Sequence, residues 1–415
     1  MKNTLVVGAG VTGCSAALEL ARRGTSVTVL ERSSRIGGKV LSYCCKATDS
    51  CSRCGVCIAH DTIAEAIRHP KIRFLPNATL EFVDGSGARV AVKAGVRGPR
   101  IDLRACIDCG TCLTACPVKA ISRYSRAGLV QYAVDAAACR AASSGECDLC
   151  AKACPVEAID AAKPSISVRV AADGVLVATG HENFDPAVKA RLGYRRLPNV
   201  MTGFEAEQAL AGKLDLGDGS GRSVAFIQCV GSRDPSLCRN FCSAVCCAYA
   251  LRMARVLKTR NPQADVTVYY IDIQHFDKVQ SAFRADVERS GVKLVRGIPS
   301  SVSPSGGRLA LAIDDPATGA ITAVHDTVVL SAGMQSADGA DEVAARFGLG
   351  RDAFGFFEPA AGGDGAGRVK AAGTCVEPQG MVEAMEAGRV AALELAAAVQ
   401  VGGAQAGGTK AGGAR

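Results

Sequence analysis

The sequence contains no tryptophan, and its aromatic residues make up only 5% of 415 positions. Its five histidines fall into no metal-binding spacing. No stretch reaches the ~18 uninterrupted apolar residues that a membrane-spanning helix needs, so direct membrane insertion is not expected. The net charge is +8, but its Lys and Arg residues are scattered and never interleaved with aromatics, so no nucleic-acid partner is expected. No Ser-His-Asp set and no paired carboxylates stand out, which argues against hydrolytic chemistry. The apolar start, Leu5-Val6-Val7, runs straight into Gly8. It therefore reads as a strand rather than an export signal, and a cytoplasmic location is expected.

Cysteine, by contrast, occurs 20 times. Disulfide scaffolds are usually short secreted chains. Here the cysteines sit mostly in C-x-x-C runs of a long chain that is 48% hydrophobic. That pattern points to metal ligation in a reducing compartment, within a globular protein of two or three domains.

The chain opens with a complete β-α-β signature. Residues 4–7 are β-prone, Gly8-Ala9-Gly10-Val11-Thr12-Gly13 fits G-x-G-x-x-G, residues 14–23 read as a helix ended by Gly24, and 25–30 form a second strand followed by Glu31. Gly8 permits the tight turn, Gly10 admits a pyrophosphate, Gly13 lets helix and strand pack closely, and Glu31 suits ribose hydroxyls. These parts together predict a dinucleotide site.

Cys106-x-x-Cys109-x-x-Cys112-x-x-x-Cys116-Pro117 has the spacing of a [4Fe–4S] ferredoxin run. A second run has Cys139, then Cys147-x-x-Cys150-x-x-x-Cys154-Pro155, its first gap lengthened by a bulge over 140–146. Both continue alike, Pro-Val-Lys-Ala-Ile and Pro-Val-Glu-Ala-Ile, as an internal repeat. In two-cluster ferredoxins the fourth cysteine crosses to the other cluster. Cys106, Cys109, Cys112 and Cys154 are thus expected to hold one cube, and Cys139, Cys147, Cys150 and Cys116 the other. Zinc is the competing reading, disfavoured by two Cys-Pro endings.

Two further cysteine groups remain. Cys51-x-x-Cys54-x-x-Cys57 fits three corners of a cube, with Cys44 or Cys45 as the fourth; Cys45 is the candidate, and a zinc knuckle or redox thiols are the other readings. The second group is Cys229, Cys238, Cys242, Cys246 and Cys247, directly after a strand expected over 223–228. A pyridine-nucleotide site would place G-x-G-x-x-G there, and it is missing. A helix over 243–257 and a strand over 266–271 complete that unit. Cys14 and Cys375 read as packing residues.

Several landmarks carry a family resemblance. Gly37-Gly38-Lys39 after Glu31, Ala178-Thr179-Gly180, and Gly373-Thr374 followed by Gly380-Met381 resemble flavoproteins of the thioredoxin reductase and glutamate synthase kind. In those proteins they lie along FAD, and a helix starting near Gly380 would direct its positive end at the flavin. The run Ile227-Gln228-Cys229-Val230-Gly231-Ser232-Arg233-Asp234, with Cys242-Ser243-Ala244-Val245-Cys246-Cys247, resembles the flavin subunit of heterodisulfide reductase (HdrA). It also resembles the corresponding flavin subunit of the quinone-interacting membrane-bound oxidoreductase (QmoA), a shorter relative. That resemblance implies that Cys229, Cys242, Cys246 and Cys247 hold a [4Fe–4S] cluster beside FAD, with Cys238 outside the set.

The expected architecture is α/β, a two-dinucleotide-domain flavoprotein with an inserted ferredoxin module of two [4Fe–4S] clusters. The FAD domain would comprise 1–100 with a Cys-rich insert at 44–57, 164–215 and 336–398. The ferredoxin module would span 101–163, the modified second domain 216–335, and 399–415 would be a disordered tail. The resemblance implies an oxidoreductase subunit that relays electrons between FAD, clusters and partner subunits, with ferredoxin or a similar carrier among its partners. The rival is a self-sufficient NAD(P)H-dependent oxidoreductase of the glutamate synthase small-subunit type. A non-catalytic iron–sulfur scaffold is the third reading.

Overall fold

A computed structural model describes residues 2–161, 165–212, 222–274, 278–315, 319–358 and 367–407. The first strand, Asn3–Val7, is apolar and buried along four of its five residues. It lies at the centre of a five-stranded parallel sheet, ordered Val369–Ala371, Gly174–Val177, Asn3–Val7, Ser26–Leu30, Ile72–Leu75. Helices Val11–Arg22, Val56–Arg68 and Met381–Gly407 cover one face. The other face packs against the antiparallel strands Ala78–Asp84, Val90–Arg97 and Ser165–Ala172, and against helix Ala340–Phe347.

The ferredoxin insert is pinched shut at its neck, where Arg100–Ile101 pairs antiparallel with Ile159–Asp160. Within it stand a hairpin, Ile121–Arg126 with Leu129–Val134, and the short helices Thr111–Ala115, Arg140–Ser144 and Leu149–Lys152. The helix Arg140–Ser144 fills the lengthened gap between Cys139 and Cys147. The module's core contains Cys112, Cys139 and Cys150 among only nine buried residues.

The second domain repeats the parallel plan in the order Val200–Thr202, Thr327–Ala332, Ser223–Val230, Asp265–Tyr270, Lys293–Arg296. A three-stranded antiparallel layer, Pro299–Ser305, Arg308–Asp315 and Gly319–His325, covers it. Two short strands, His181–Asn183 and Met334–Ser336, pair antiparallel where the chain leaves and re-enters the FAD domain. The second domain therefore begins earlier than the expected residue 216, because Val200–Thr202 joins its sheet and helix Gly203–Leu210 follows directly. Three residues are too short a run to read as a strand from sequence. The C-terminal helix continues to Gly407, past the expected end at 398. Residues 408–415 of the expected tail, and most of the glycine-rich loop at 362–367, lie outside the described residues. Among the described residues no helix is long and apolar enough to cross a membrane.

Candidate functional site: a flavin cavity and the cysteine sets

The glycines of the first turn act as their positions demand. A Cβ on Gly13 would stand 2.0 Å from the Gly8 carbonyl oxygen, so only glycine lets helix Val11–Arg22 seat on the first strand. A Cβ on Gly8 would meet the Ala178 carbonyl oxygen at 2.3 Å. Gly10 differs, since nothing lies within 4 Å of the place its Cβ would occupy. That place opens on a cavity of about 1400 Å³. The Gly-Gly step docks onto this turn, Gly37 N–H donating to the Ala9 carbonyl at 2.8 Å.

Of the predicted flavin residues, Gly8, Gly10, Glu31, Gly37, Gly38, Lys39, Thr179, Gly180, Thr374, Gly380 and Met381 line this one cavity. Gly13 and Gly373 lie behind the wall; a Cβ on Gly373 would meet Thr12 Oγ1 at 2.3 Å. Glu31 accepts the Ala9 and Ser33 N–H groups, each at 2.7 Å, which fixes its carboxylate at the cavity rim. Lys39 is paired with Glu182 at 2.6 Å. The C-terminal helix starts at Met381, so its unpaired N–H groups face the cavity. His181 is held by Thr374 Oγ1 at 2.9 Å; burial, then the Lys39 charge, pushes its pKa down to about 3.

In the ferredoxin module the structure brings the cysteines together in the crossed pattern. One small cavity is lined by Cys106, Cys109, Cys112 and Cys154, and the other by Cys116, Cys139, Cys147 and Cys150. Cys116 and Cys154 each accept a backbone N–H, from Ala120 and Ala158, at 3.3 Å. Burial, then Cys139 and Cys147, pushes the Cys150 thiol up to about 11. Burial followed by Cys106 and Cys109 raises Cys112, with Cys154 adding to it.

In the second domain, strand Ser223–Val230 shifts register between Ile227 and Val230, and Cys229 sits in the shift with φ 59°. The expected helix start at 243 moves to Cys246, because Ala244 takes φ 58°. Cys246 and Cys247 thus open helix Cys246–Arg260. The loop is tied by Ser232 to Ser243 at 2.6 Å, and by Ser243 Oγ accepting Met334 N–H at 2.8 Å. Burial, then the thiols of Cys247 and Cys242, pushes Cys229 up to about 12, against the pull of Arg233. Burial and the thiols of Cys229, Cys247 and Cys242 likewise hold Cys246 far above the usual thiol range. Cys238 stands apart and exposed.

In the Cys-rich insert, partial desolvation and then the thiols of Cys45, Cys54 and Cys51 raise Cys57. Cys51 and Cys54 also line the large cavity. Cys44 is buried instead in the core of the second domain.

The donor chemistry fits iron–sulfur cubes. Zinc draws each thiolate to about 2.3 Å, so its ligands crowd a point. Among the described residues no three His, Cys, Asp or Glu side chains converge in that way. The two ferredoxin sets each line a small space, as the spread corners of a cube require, and iron would offset the charge that burial of the thiols resists. The flavin fits the cavity because Gly10, lacking a side chain, leaves the turn open to it.

The sequence pattern missed the buried ion pair between Lys46 and Glu207, each side chain only 5% exposed. It also missed Arg252, whose Nε donates to the Ser52 carbonyl at 3.0 Å, and Arg255, paired with Asp49 at 2.7 Å. No local motif signals these contacts, whose partners stand 161, 200 and 206 positions apart.

Residues 3–40 match the family model of FAD dependent oxidoreductases, and residues 105–158 that of a 4Fe-4S dicluster domain. An iron-sulfur subunit of the CoB–CoM heterodisulfide reductase from Methanopyrus kandleri is 31% identical over 96% of this chain and 64% of its own length. The homologous component of the H2:CoB-CoM heterodisulfide,ferredoxin reductase from Methanothermobacter marburgensis is 31% identical over 85% of this chain and 56% of its own. The chain thus spans somewhat over half the length of these relatives. In fold it is similar to thioredoxin reductases from T. acidophilum and Lactococcus lactis. Their TM-scores are 0.54 and 0.51, at 14% and 12% identity, covering 96% and 97% of this chain and 99% and 100% of theirs.

Proposed function

With the premise that the chain is a homologue of HdrA, the flavin subunit of heterodisulfide reductase, we propose that it serves as the FAD- and iron–sulfur-containing electron-transfer subunit of an oxidoreductase complex of that type. The observation carrying this reading is a single cavity whose wall holds both the flavin motifs and Cys51, Cys54, Ala244 and Val245. Ala244 and Val245 lie between Cys242 and the Cys246–Cys247 pair. When bound, FAD supplies two-electron exchange and [4Fe–4S] clusters supply one-electron exchange.

The chain's own residues bind, orient and shield. Gly8, Gly10 and Gly13 shape the turn against the pyrophosphate, and Glu31 faces the ribose. Gly37, Gly38 and Lys39 run along the cavity with Thr179 and Gly180, while Gly373 and Thr374 bring the Gly380–Met381 helix start to the far end. Cys106, Cys109, Cys112 and Cys154 hold one cluster of the ferredoxin module; Cys116, Cys139, Cys147 and Cys150 hold the second. Cys229, Cys242, Cys246 and Cys247 hold another, in a loop occupying the position of a nicotinamide-binding turn. Backbone N–H groups of Ala120, Ala158 and Ala244 are aimed at the sulfurs of Cys116, Cys154 and Cys242. Partner subunits and a ferredoxin-like carrier complete the complex, and the chain itself works in the cytoplasm.

The test is an anaerobic titration of the reconstituted chain, following flavin bleaching. Bleaching by dithionite or reduced ferredoxin, with none by NADH or NADPH, is expected. Fast bleaching by a nicotinamide would overturn the relay reading in favour of a self-sufficient NAD(P)H-dependent reductase.

A further inference from the structure

The loop Cys51-Ser52-Arg53-Cys54-Gly55-Val56-Cys57 and the loop Cys106-Ile107-Asp108-Cys109-Gly110-Thr111-Cys112 share one pattern, Cys-x-x-Cys-Gly-x-Cys. They also share one backbone. Arg53 and Asp108 both take left-handed angles, φ 50° and 60°. Gly55 and Gly110 are both left-handed N-caps, at φ 81°, ψ −6° and φ 78°, ψ −5°. Helices then begin at Val56 and Thr111, one residue before the last cysteine of each loop. Left-handed angles at non-glycine residues are uncommon, so the matched pair Arg53 and Asp108, each followed two residues on by a left-handed glycine, marks the same local structure. The second of these loops lies within the stretch that matches the 4Fe-4S dicluster domain.

The two loops differ in their fourth ligand. In the ferredoxin module it crosses over from Cys154. Near the insert two candidates adjoin, and the buried ion pair separates them. Glu207 accepts the Cys44 N–H at 2.7 Å and pairs with Lys46, which in turn donates to the Cys44 carbonyl at 3.2 Å. Residue 44 is thereby fastened into the second domain's core, while Cys45 next to it is exposed. Cys45 Sγ and Cys51 Sγ each accept a backbone N–H from two residues on, at 3.5 and 3.4 Å, as Cys242 does from Ala244 at 3.3 Å.

We propose that Cys45, Cys51, Cys54 and Cys57 form a complete ligand set for a [4Fe–4S] cluster of their own, separate from the ferredoxin module. Cys44 is excluded from it, and the Lys46–Glu207 pair acts as its positioning element. The site lies between the other two cluster regions. On one side Tyr124 of the ferredoxin hairpin meets His60 at 2.7 Å and Arg126 donates to the Tyr43 carbonyl at 2.7 Å. On the other, Arg252 and Arg255 of the Cys246–Arg260 helix grip Ser52 and Asp49.

This assignment rests on the iron–sulfur reading above, and its failure is separable from that reading's. The experiment compares the full reconstituted chain with C45A, C57A and C44A by iron and acid-labile sulfide content, FAD content and the EPR spectrum after dithionite reduction. Wild type should carry one cluster beyond those of the ferredoxin module and the Cys229 loop. C45A and C57A should each lose that cluster's iron and the same EPR component with FAD content unchanged, and C44A should keep both. If C45A fails to fold, C45S serves instead: the serine oxygen should retain iron while shifting that EPR component alone. Wild type lacking the extra cluster, C45A or C45S matching wild type, or C44A losing the same iron, overturns the assignment. Each of these outcomes leaves FAD and the remaining clusters in place, whereas a wild type devoid of clusters would sink the electron-relay reading itself.

Discussion

At the scale of single residues, the two glycines of the first turn separate folding from cofactor binding. G13A drives a methyl into the Gly8 carbonyl and should cost about 3 kcal/mol, seen as a lowered denaturation midpoint even without flavin. G10A meets no protein atom and should change the flavin-free chain's stability by only about 1 kcal/mol or less. Its effect should instead be a loss of bound FAD after reconstitution, read from the ratio of flavin to protein absorbance. The Lys46–Glu207 pair makes a second contrast. K46M leaves a buried carboxylate without its cation and should cost about 3–5 kcal/mol, whereas K46M combined with E207L should recover most of that. Chemical denaturation of wild type, both single variants and the double variant closes the cycle. The glycine roles were legible in the sequence because steric demand is local. The ion pair was not, since its partners are 161 positions apart and nothing in either neighbourhood marks them.

At the scale of elements, the ferredoxin module has a small core, a cluster of nine buried residues of which three are cysteines. Without iron nothing bridges those thiols to the rest of each ligand set, so the clusters contribute to the module's folding energy. Anaerobic chelation should therefore expose 101–163 to rapid hydrogen exchange and protease cleavage. The parallel sheets of the two larger domains should stay protected. Equal protection of the module before and after chelation would refute this. The grouping of the eight ferredoxin cysteines about two small spaces follows the cross-over rule of two-cluster ferredoxins, by which the sequence assigned them. The start of helix Cys246–Arg260 was three residues off for a physical reason: Ala244 takes a left-handed angle, which no helix can continue through. The repeated left-handed positions at 53 and 55 had a visible signal, the glycine within both Cys-x-x-Cys-Gly-x-Cys loops.

For the whole molecule, two crossing strands carry the chain between its dinucleotide domains, and His181 stands at the start of one of them. In the unfolded chain a histidine titrates near 6.5. In the fold His181 stays neutral down to about 3. Between those values the unfolded chain binds more protons, so this contribution to stability is full above about 6.5 and is lost as pH falls toward 3. The denaturation midpoint of the flavin-free chain should drop from about pH 7.5 to about pH 5, and H181N should flatten that drop. The two-domain plan was legible from the recurring strand-and-glycine landmarks, while the true position of the domain crossing depended on pairing between residues far apart in sequence. The first sheet takes its strands from residues 3–75, 174–177 and 369–371. That interleaving imposes a timetable on synthesis. A growing chain has finished both ferredoxin runs and the Cys229 loop long before Val369–Ala371 and the Gly380 helix start exist. Iron can thus be delivered to a nascent protein that has as yet no closed flavin sheet, and the flavin is the last cofactor the chain becomes able to grip.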